Sequence, residues 1–197
     1  MNRTAETSKP VIGIIAGRWS PRAFAQDTPS RDELTSIFEA ARWAPSCFNS
    51  QPWRFIVTTK ADADAFRRGL SCLKDQNVVW AQNAPVLAFI VAVENFEHNG
   101  KPNPWGDFDC GLAMGQLILQ AESMGWSAHV MAGFYPDKVS KTFGIPEGFR
   151  PLAAFVIGRA GDPETLPEDL KMREMEPRER KPLAETLFSA QWGKKML

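Results

Sequence analysis

Apolar residues recur at helical spacing between Ser30 and Ala44, where Leu34, Ile37, Phe38 and Ala41 fall on one face. Ser30 and Glu33 form the S-x-x-E signature of a helix start, and Pro45 disfavours the α conformation in the residue before it, so the pattern predicts a helix from Ser30 that stops near Ala44. Arg54 to Thr58 reads as a strand and Asp62 to Leu70 as a short helix with Ala63, Phe66 and Leu70 inward. Val86 to Val93 (VLAFIVAV) is apolar at every position rather than at alternate ones. Such a strand needs cover on both faces, which predicts a central sheet with helices on two sides. Asp109 to Met124 returns to helical spacing through Met114, Leu117, Ile118 and Ala121, with Asp109 where an N-cap is expected and Gly125 as the C-cap. Ser127 to Val130 and Leu152 to Gly158 read as strands and Pro136 to Phe143 as a short helix. The segment VIGIIA (11–16) is too short for periodicity to separate strand from helix.

The stretches between these elements differ in character. Residues 45–52 (PSCFNSQP) form a polar loop bounded by two prolines at the end of a helix, the kind of rigid loop that commonly carries binding groups. Glu94 to Asp107, built around Trp105, is long enough to be a lid. Residues 1–9 are polar and expected to be flexible, whereas the tail 182–197 carries Leu187, Phe188, Trp192, Met196 and Leu197 and is expected to pack on another subunit. Gly111 and Gly115 share one side of the long helix, either as a close helix contact or as tolerated small residues. No repeat or boundary interrupts the chain, so residues 1–197 are read as one domain.

Charge and composition remove several classes of function. Twenty-three Lys and Arg balance twenty-three Asp and Glu, which argues against a protein that coats nucleic acid or an acidic membrane. The longest apolar run is eight residues, against the ~20 that span a bilayer, and the apolar patch near the start runs straight into Arg18 and Arg22. A cytoplasmic protein is expected. Three scattered cysteines and two histidines offer neither a disulfide framework nor a zinc site, and no P-loop, G-x-G-x-x-G or G-x-S-x-G motif occurs. Seven Trp and thirteen Phe against one Tyr favour large flat apolar surfaces, suited to cores, interfaces and pockets for planar ligands.

Several constellations could carry chemistry. Arg18-x-Ser20-x-Arg22 puts two guanidinium groups and a hydroxyl on one side of an extended segment, a geometry that suits a phosphate, and Arg178-x-Arg180-Lys181 repeats the theme. The first also reads as an exposed basic turn, and the second as a solvated charge run balanced by Glu174, Glu176 and Glu179. Ser46, Asn49, Ser50 and Gln51 can orient a heterocycle but not move a proton, and Cys47 has no local base. Asp107 and Asp109 form a carboxylate pair that reads better as helix capping than as acid/base machinery. Ser46 and His129 would make a serine hydrolase only if the fold joined them. With no convincing nucleophile, metal set or acid/base pair, the chemistry is expected to come from a cofactor.

At Ala41 to Phe55, ARWAPSCFNSQPWRF, the chain resembles the FMN-dependent nitroreductase family, whose hallmark is a helix ending in A-P-S, then N-x-Q-P-W and a strand. Arg18-Trp19-Ser20-Pro21-Arg22 is similar to that family's N-terminal R-x-S-x-R/K element. Asn77 to Trp80 with Ala84-Pro85-Val86 is similar to its G-N-x-x-W…A-P-V segment, with Gln76 where glycine is usual. Gly125-Trp126 resembles its G-L-G turn with Trp126 for Leu, Met131 to Phe134 its loop before a short helix, and Arg178 to Leu183 its C-terminal basic element.

The resemblance implies an α+β, three-layer fold with a central mixed β-sheet flanked by helices, in an intertwined homodimer with two FMN sites at the interface. It implies a helix at 11–16. By analogy Arg18, Ser20 and Arg180 would hold the phosphate and ribityl chain beside Trp19, with Arg178 close by. Arg22 would lie toward the pyrimidine edge, Asn77 on the ring or ribityl chain, and main-chain groups of Ala132 and Gly133 near N5. Pro45, Ser46 and Asn49 would reach across from the partner, and Trp105 would shape the substrate pocket. Hydride would pass from NADH or NADPH through the flavin to a nitroaromatic, quinone or similar acceptor by a ping-pong route, with no catalytic side chain and no metal. A flavin-binding module without turnover is the alternative. The tryptophans Trp19, Trp43, Trp53 and Trp80 would then wall the cofactor pocket.

Overall fold

Four strands make the centre of the molecule: β1 (Trp53–Thr59), β2 (Val86–Val93), β3 (Ser127–Met131) and β4 (Phe149–Gly158). They appear in a computed structural model that describes residues 3–196; Met1, Asn2 and Leu197 of the two expected tails lie outside the described residues. The order across the sheet is β1-β2-β4-β3, and every neighbouring pair is antiparallel. This is narrower than the mixed sheet expected. Thr59 pairs with Val86 and Val93 with Phe149, so these strands re-enter the sheet at the end just left. The crossover from β2 to β3 does produce two strands of one direction, but β4 lies between them and no parallel pair forms.

Helices α1 (Gly13–Gly17), α2 (Arg31–Arg42), α3 (Ala63–Leu70), α4 (Asp75–Ala81), α5 (Gly106–Ser123), α6 (Pro136–Phe143) and α7 (Glu168–Met175) surround the sheet. VIGIIA therefore contributes to a helix, as the resemblance implied. The capping box of α2 is formed: the Glu33 N–H donates to Ser30 Oγ at 3.2 Å and the Ser30 N–H to Glu33 Oε2 at 2.8 Å. Helix α5 starts three residues earlier than its pattern suggested, at Gly106 after Trp105. Asp109 is thus inside the helix, not its cap, and the turn before it is closed by the Trp105 N–H donating to Asn103 Oδ1 at 3.1 Å.

Both faces of β2 are buried, and alternation assigns them. Leu87 and Phe89 join Phe66, Trp80, Phe134, Val139 and Leu170 in one core beneath α3, α4, α6 and α7. Ala88, Ile90 and Ala92 join Ile37, Leu117, Trp126 and Phe155 in the other, beneath α2 and α5. Cover on both sides is why VLAFIVAV shows no alternation. Residues 3–9, expected to be flexible, are tied down where the Ala5 N–H donates to Ala16 O at 2.9 Å. The tail folds into a small exposed hairpin in which Phe188 faces Trp192 at 5.0 Å.

Candidate functional site

The segment after α1 is short and irregular, and side chains from three other elements hold its backbone. Arg178 donates to Ala16 O at 2.7 Å and to Arg18 O at 2.6 Å. The His129 ring on β3 donates its Nδ1–H to Pro21 O at 2.8 Å, and Glu174 on α7 accepts the N–H groups of Arg22 and Ala23 at 2.9 and 3.1 Å. With its carbonyls and amides committed, this segment turns Arg18, Ser20 and Arg22 into one cleft of about 210 Å³. Arg18 Nη1 lies 3.3 Å from Ser20 Oγ, which fixes the guanidinium beside the hydroxyl.

The cleft carries a surplus of positive charge. Arg3, Arg18, Arg22, Arg173, Arg178 and Arg180 line it with Trp19, against the carboxylates Glu174 and Glu176. Glu174 is almost wholly buried and faces Arg22 at 3.8 Å, so it is already engaged. Burial, and then the nearby Arg180, push the Arg18 guanidinium down from its ordinary value; burial, Arg18, Arg180 and Arg3 do the same to Arg178. Glu122 on α5 faces Arg18 and Arg178 as a partial counterion, but burial pushes its own carboxyl up, away from the charged form. Crowded, partly desolvated cations of this kind are stabilised by an anion, and a phosphate monoester matches the guanidinium and hydroxyl donors present.

Strand β3, which carries His129, leads into Ala132 and Gly133. The Asn77 Nδ2–H donates to Gly133 O at 3.0 Å, and the Lys74 N–H donates to the same oxygen at 2.9 Å. A Cβ on Gly133 would sit 2.4 Å from Asn77 Nδ2, so the position takes glycine because the amide approaches it closely. The His129 ring that holds Pro21 lies 4.5 Å from that of Trp80 on α4. Burial pushes its pKa down to about 4, which leaves a neutral imidazole at neutral pH.

The loop 45–52 is elsewhere, at the N-terminal end of α5. Phe48, Asn49 and Gln51 all adopt left-handed φ of 52, 54 and 46°, strained for residues other than glycine. What holds them is Asp109, whose Oδ2 accepts the Cys47 N–H at 3.0 Å, and Ser46, whose Oγ accepts the Gln51 N–H at 3.0 Å. Phe48 stands out from the loop against Phe96 and His98, and Trp105 packs edge-on to Phe108 at the start of α5. Within one chain, then, Arg18, Trp19, Ser20, Arg22, Arg178 and Arg180 share a cleft, and Asn77 meets Gly133, which follows Ala132 after β3. Pro45, Ser46, Asn49 and Trp105 form a second group apart from them.

Ser46 and His129 are not brought together. Strands β1 and β3 are opposite edges of the sheet, three strand spacings or about 14 Å apart, and His129 is level with Thr58, at the far end of β1 from Ser46. Nor do the tryptophans act as one wall: Trp53 and Trp80 are buried in the two separate cores, while Trp43 is 71% exposed. Sequence reasoning missed Glu174, which sits in a charged stretch with no motif, and the loop-holding role of Asp109. Among the described residues no cluster of His, Cys, Asp and Glu could hold a metal, and no helix is long and apolar enough to cross a membrane.

A sheet between two helical layers, with a cleft rich in arginine near its β3 edge, defines an α+β protein. The model of the nitroreductase family matches residues 15–159, and the chain belongs to that family. It is 35% identical over 147 residues to an uncharacterised 15.4 kDa protein of Mycolicibacterium smegmatis, covering 71% of this chain and 97% of the relative. It is 31% identical over 157 residues to a Streptomyces coelicolor protein provisionally named an NADH dehydrogenase/NAD(P)H nitroreductase, covering 70% and 77%. Among solved structures, one described as an oxidoreductase containing FMN superposes with a TM-score of 0.91 at 36% identity, over 97% of both chains.

Proposed function

We propose that the protein is an FMN-dependent oxidoreductase that takes reducing equivalents from NADH or NADPH and passes them to small electrophilic acceptors such as nitroaromatics and quinones, working as a homodimer. The observation that carries this reading is the arginine cleft with surplus positive charge. The names of the Streptomyces relative and of the FMN-containing structure support it. A cytoplasmic location, where the nicotinamide donor is available, goes with it.

The donor set fits FMN. Arg18, Ser20 and Arg180 would take the phosphate, while Arg178, spent on the carbonyls of Ala16 and Arg18, keeps that segment in place. Arg22, with Glu174 behind it, would offer positive charge toward the pyrimidine edge. Asn77 holds the Gly133 main chain, which would leave the flavin ring free of an intruding side chain there. When bound, FMN supplies a hydride acceptor and then a hydride donor, so that one pocket serves NAD(P)H and oxidant in turn and ping-pong kinetics follow. Pro45, Ser46 and Asn49 would complete the partner's site, and Trp105, 54% exposed, would contact the acceptor.

The FMN content of the purified protein tests the reading, measured from the visible spectrum and from flavin released on acid precipitation. One FMN per chain is expected. A colourless protein that takes up no FMN on reconstitution overturns it.

A further inference from the structure

The N-terminal arm carries a guanidinium that the assigned cleft does not account for. Arg3 lies twelve residues before the start of the family match at residue 15, yet it lines the same cleft as Arg18, Ser20 and Arg180. Its position is built. The Arg3 carbonyl accepts from Arg178 Nη1, its Nη2 donates to Glu176 O at 2.8 Å, and its guanidinium stacks over Trp19 at 4.9 Å from the ring centroid. Its Nε is sealed from solvent without an acceptor among the described residues, an unusual cost for a charged group. Residues 5–9 continue as one wall of an adjoining cleft of about 450 Å³, whose other walls are Arg180 to Leu183, with Arg18 and Arg178 between them.

We infer that the arm is a strap over the anion cleft and that Arg3 is a further binding residue for the phosphate of the cofactor. The inference rests on the FMN reading above and adds a ligand to it. Three features point the same way. The arm is docked through Arg178, the residue that also fixes Arg18, so arm and cleft are ordered by one guanidinium. Arg3 adds to the repulsion that lowers Arg178, in a cleft where six arginines face two glutamates. An anionic oxygen in the cleft relieves the repulsion. Stacking on Trp19 gives the planar guanidinium a rigid seat that a lysine would not keep.

The strap discriminates by phosphate, so the experiment compares FMN with riboflavin, which lacks it. Dissociation constants for both are measured by flavin fluorescence on the full chain, on Arg3→Ala and Arg3→Lys, and on Arg18→Ala as a reference, with thermal midpoints read alongside. Arg3→Ala is expected to weaken FMN by about tenfold, the worth of one charge-assisted contact, and to leave riboflavin unchanged. Arg3→Lys is expected to recover only part of that loss, and raised salt to narrow the gap between the full chain and Arg3→Ala. If Arg18→Ala weakens FMN while Arg3→Ala does not, Arg3 is no ligand and the inference falls alone. Equal losses for FMN and riboflavin assign the arm to folding and also overturn it. Absence of FMN binding by the unaltered chain overturns the cofactor reading, and the strap with it.

Discussion

At Gly133 a Cβ would come within 2.4 Å of the Asn77 amide, so Gly133→Ala must either turn that amide away or shift the main chain. FMN affinity is expected to fall about tenfold, and the same change made in an Asn77→Ala background should cost less, because the colliding group is gone. Additive losses in the double variant would show that the two residues act separately. His129 gives a second residue-scale expectation. Its pKa of about 4 in the folded chain lies below the ordinary 6.5, so between these values the unfolded chain binds more protons. Its contribution is complete above pH 6.5 and is lost as the pH falls toward 4, up to about 3 kcal/mol. His129→Gln has no group to titrate there, and urea unfolding at pH 7 and 4.5 should give it the shallower pH dependence. Equal slopes would mean that His129 is not the source. The arginines of the first motif were legible because an R-x-S-x-R pattern has a chemical meaning by itself. His129 was not, since its role depends on Pro21 and Trp80 reaching it from other parts of the chain.

Among the elements, the loop 45–52 depends most on a distant contact. Its left-handed residues persist because Asp109, 2% exposed and one turn inside α5, accepts the Cys47 N–H. Asp109→Ala leaves that donor without its partner and should lower unfolding stability by roughly 1–3 kcal/mol. If the loop serves the acceptor side of the pocket, KM for the acceptor should rise while FMN content stays near one per chain; an unchanged KM would detach the loop from the pocket. The sequence made β2, α2 and α6 readable to within a residue or two: an unbroken apolar run, a capping box, and a proline start with a glycine end. Helix α4 was hidden because Val78 and Val79 carry no helical signature and its seven residues are too few for a period. Helix α7 was hidden because its buried residues are Leu170 and a glutamate, so a charged stretch gave no apolar stripe. The misplaced start of α5 has a similar origin: an aspartate near a helix start looks like a cap, and only the fold reveals that this one bonds to another loop.

At the scale of the whole molecule, the two groups of site residues are separate in one chain, and large apolar side chains such as Ile12, Trp43 and Phe108 remain exposed. Gly111 and Gly115 lie on the open side of α5, where an added Cβ would meet nothing. In the proposed homodimer a second copy would lie against this face, with Pro45, Ser46 and Asn49 completing the other chain's site. A particle of twice 22.0 kDa is therefore expected in sedimentation equilibrium. Gly111→Arg or Gly115→Arg should fold but sediment as a single chain and lose FMN; a dimer that survives both with its flavin would place the interface elsewhere. Charge balance over the chain conceals a strongly cationic cleft, which is why net charge argued against a polyanion partner yet gave no hint of the cleft. The central claim is that this cleft makes the protein a flavin-dependent carrier of reducing equivalents from NAD(P)H to a small acceptor. Anaerobic addition of NADH or NADPH to the FMN-loaded protein measures it most directly. The visible flavin band is expected to bleach within the turnover time and to return when a quinone or nitroarene is added. A loaded, yellow protein that neither nucleotide bleaches would contradict it and leave a flavin-binding module without turnover.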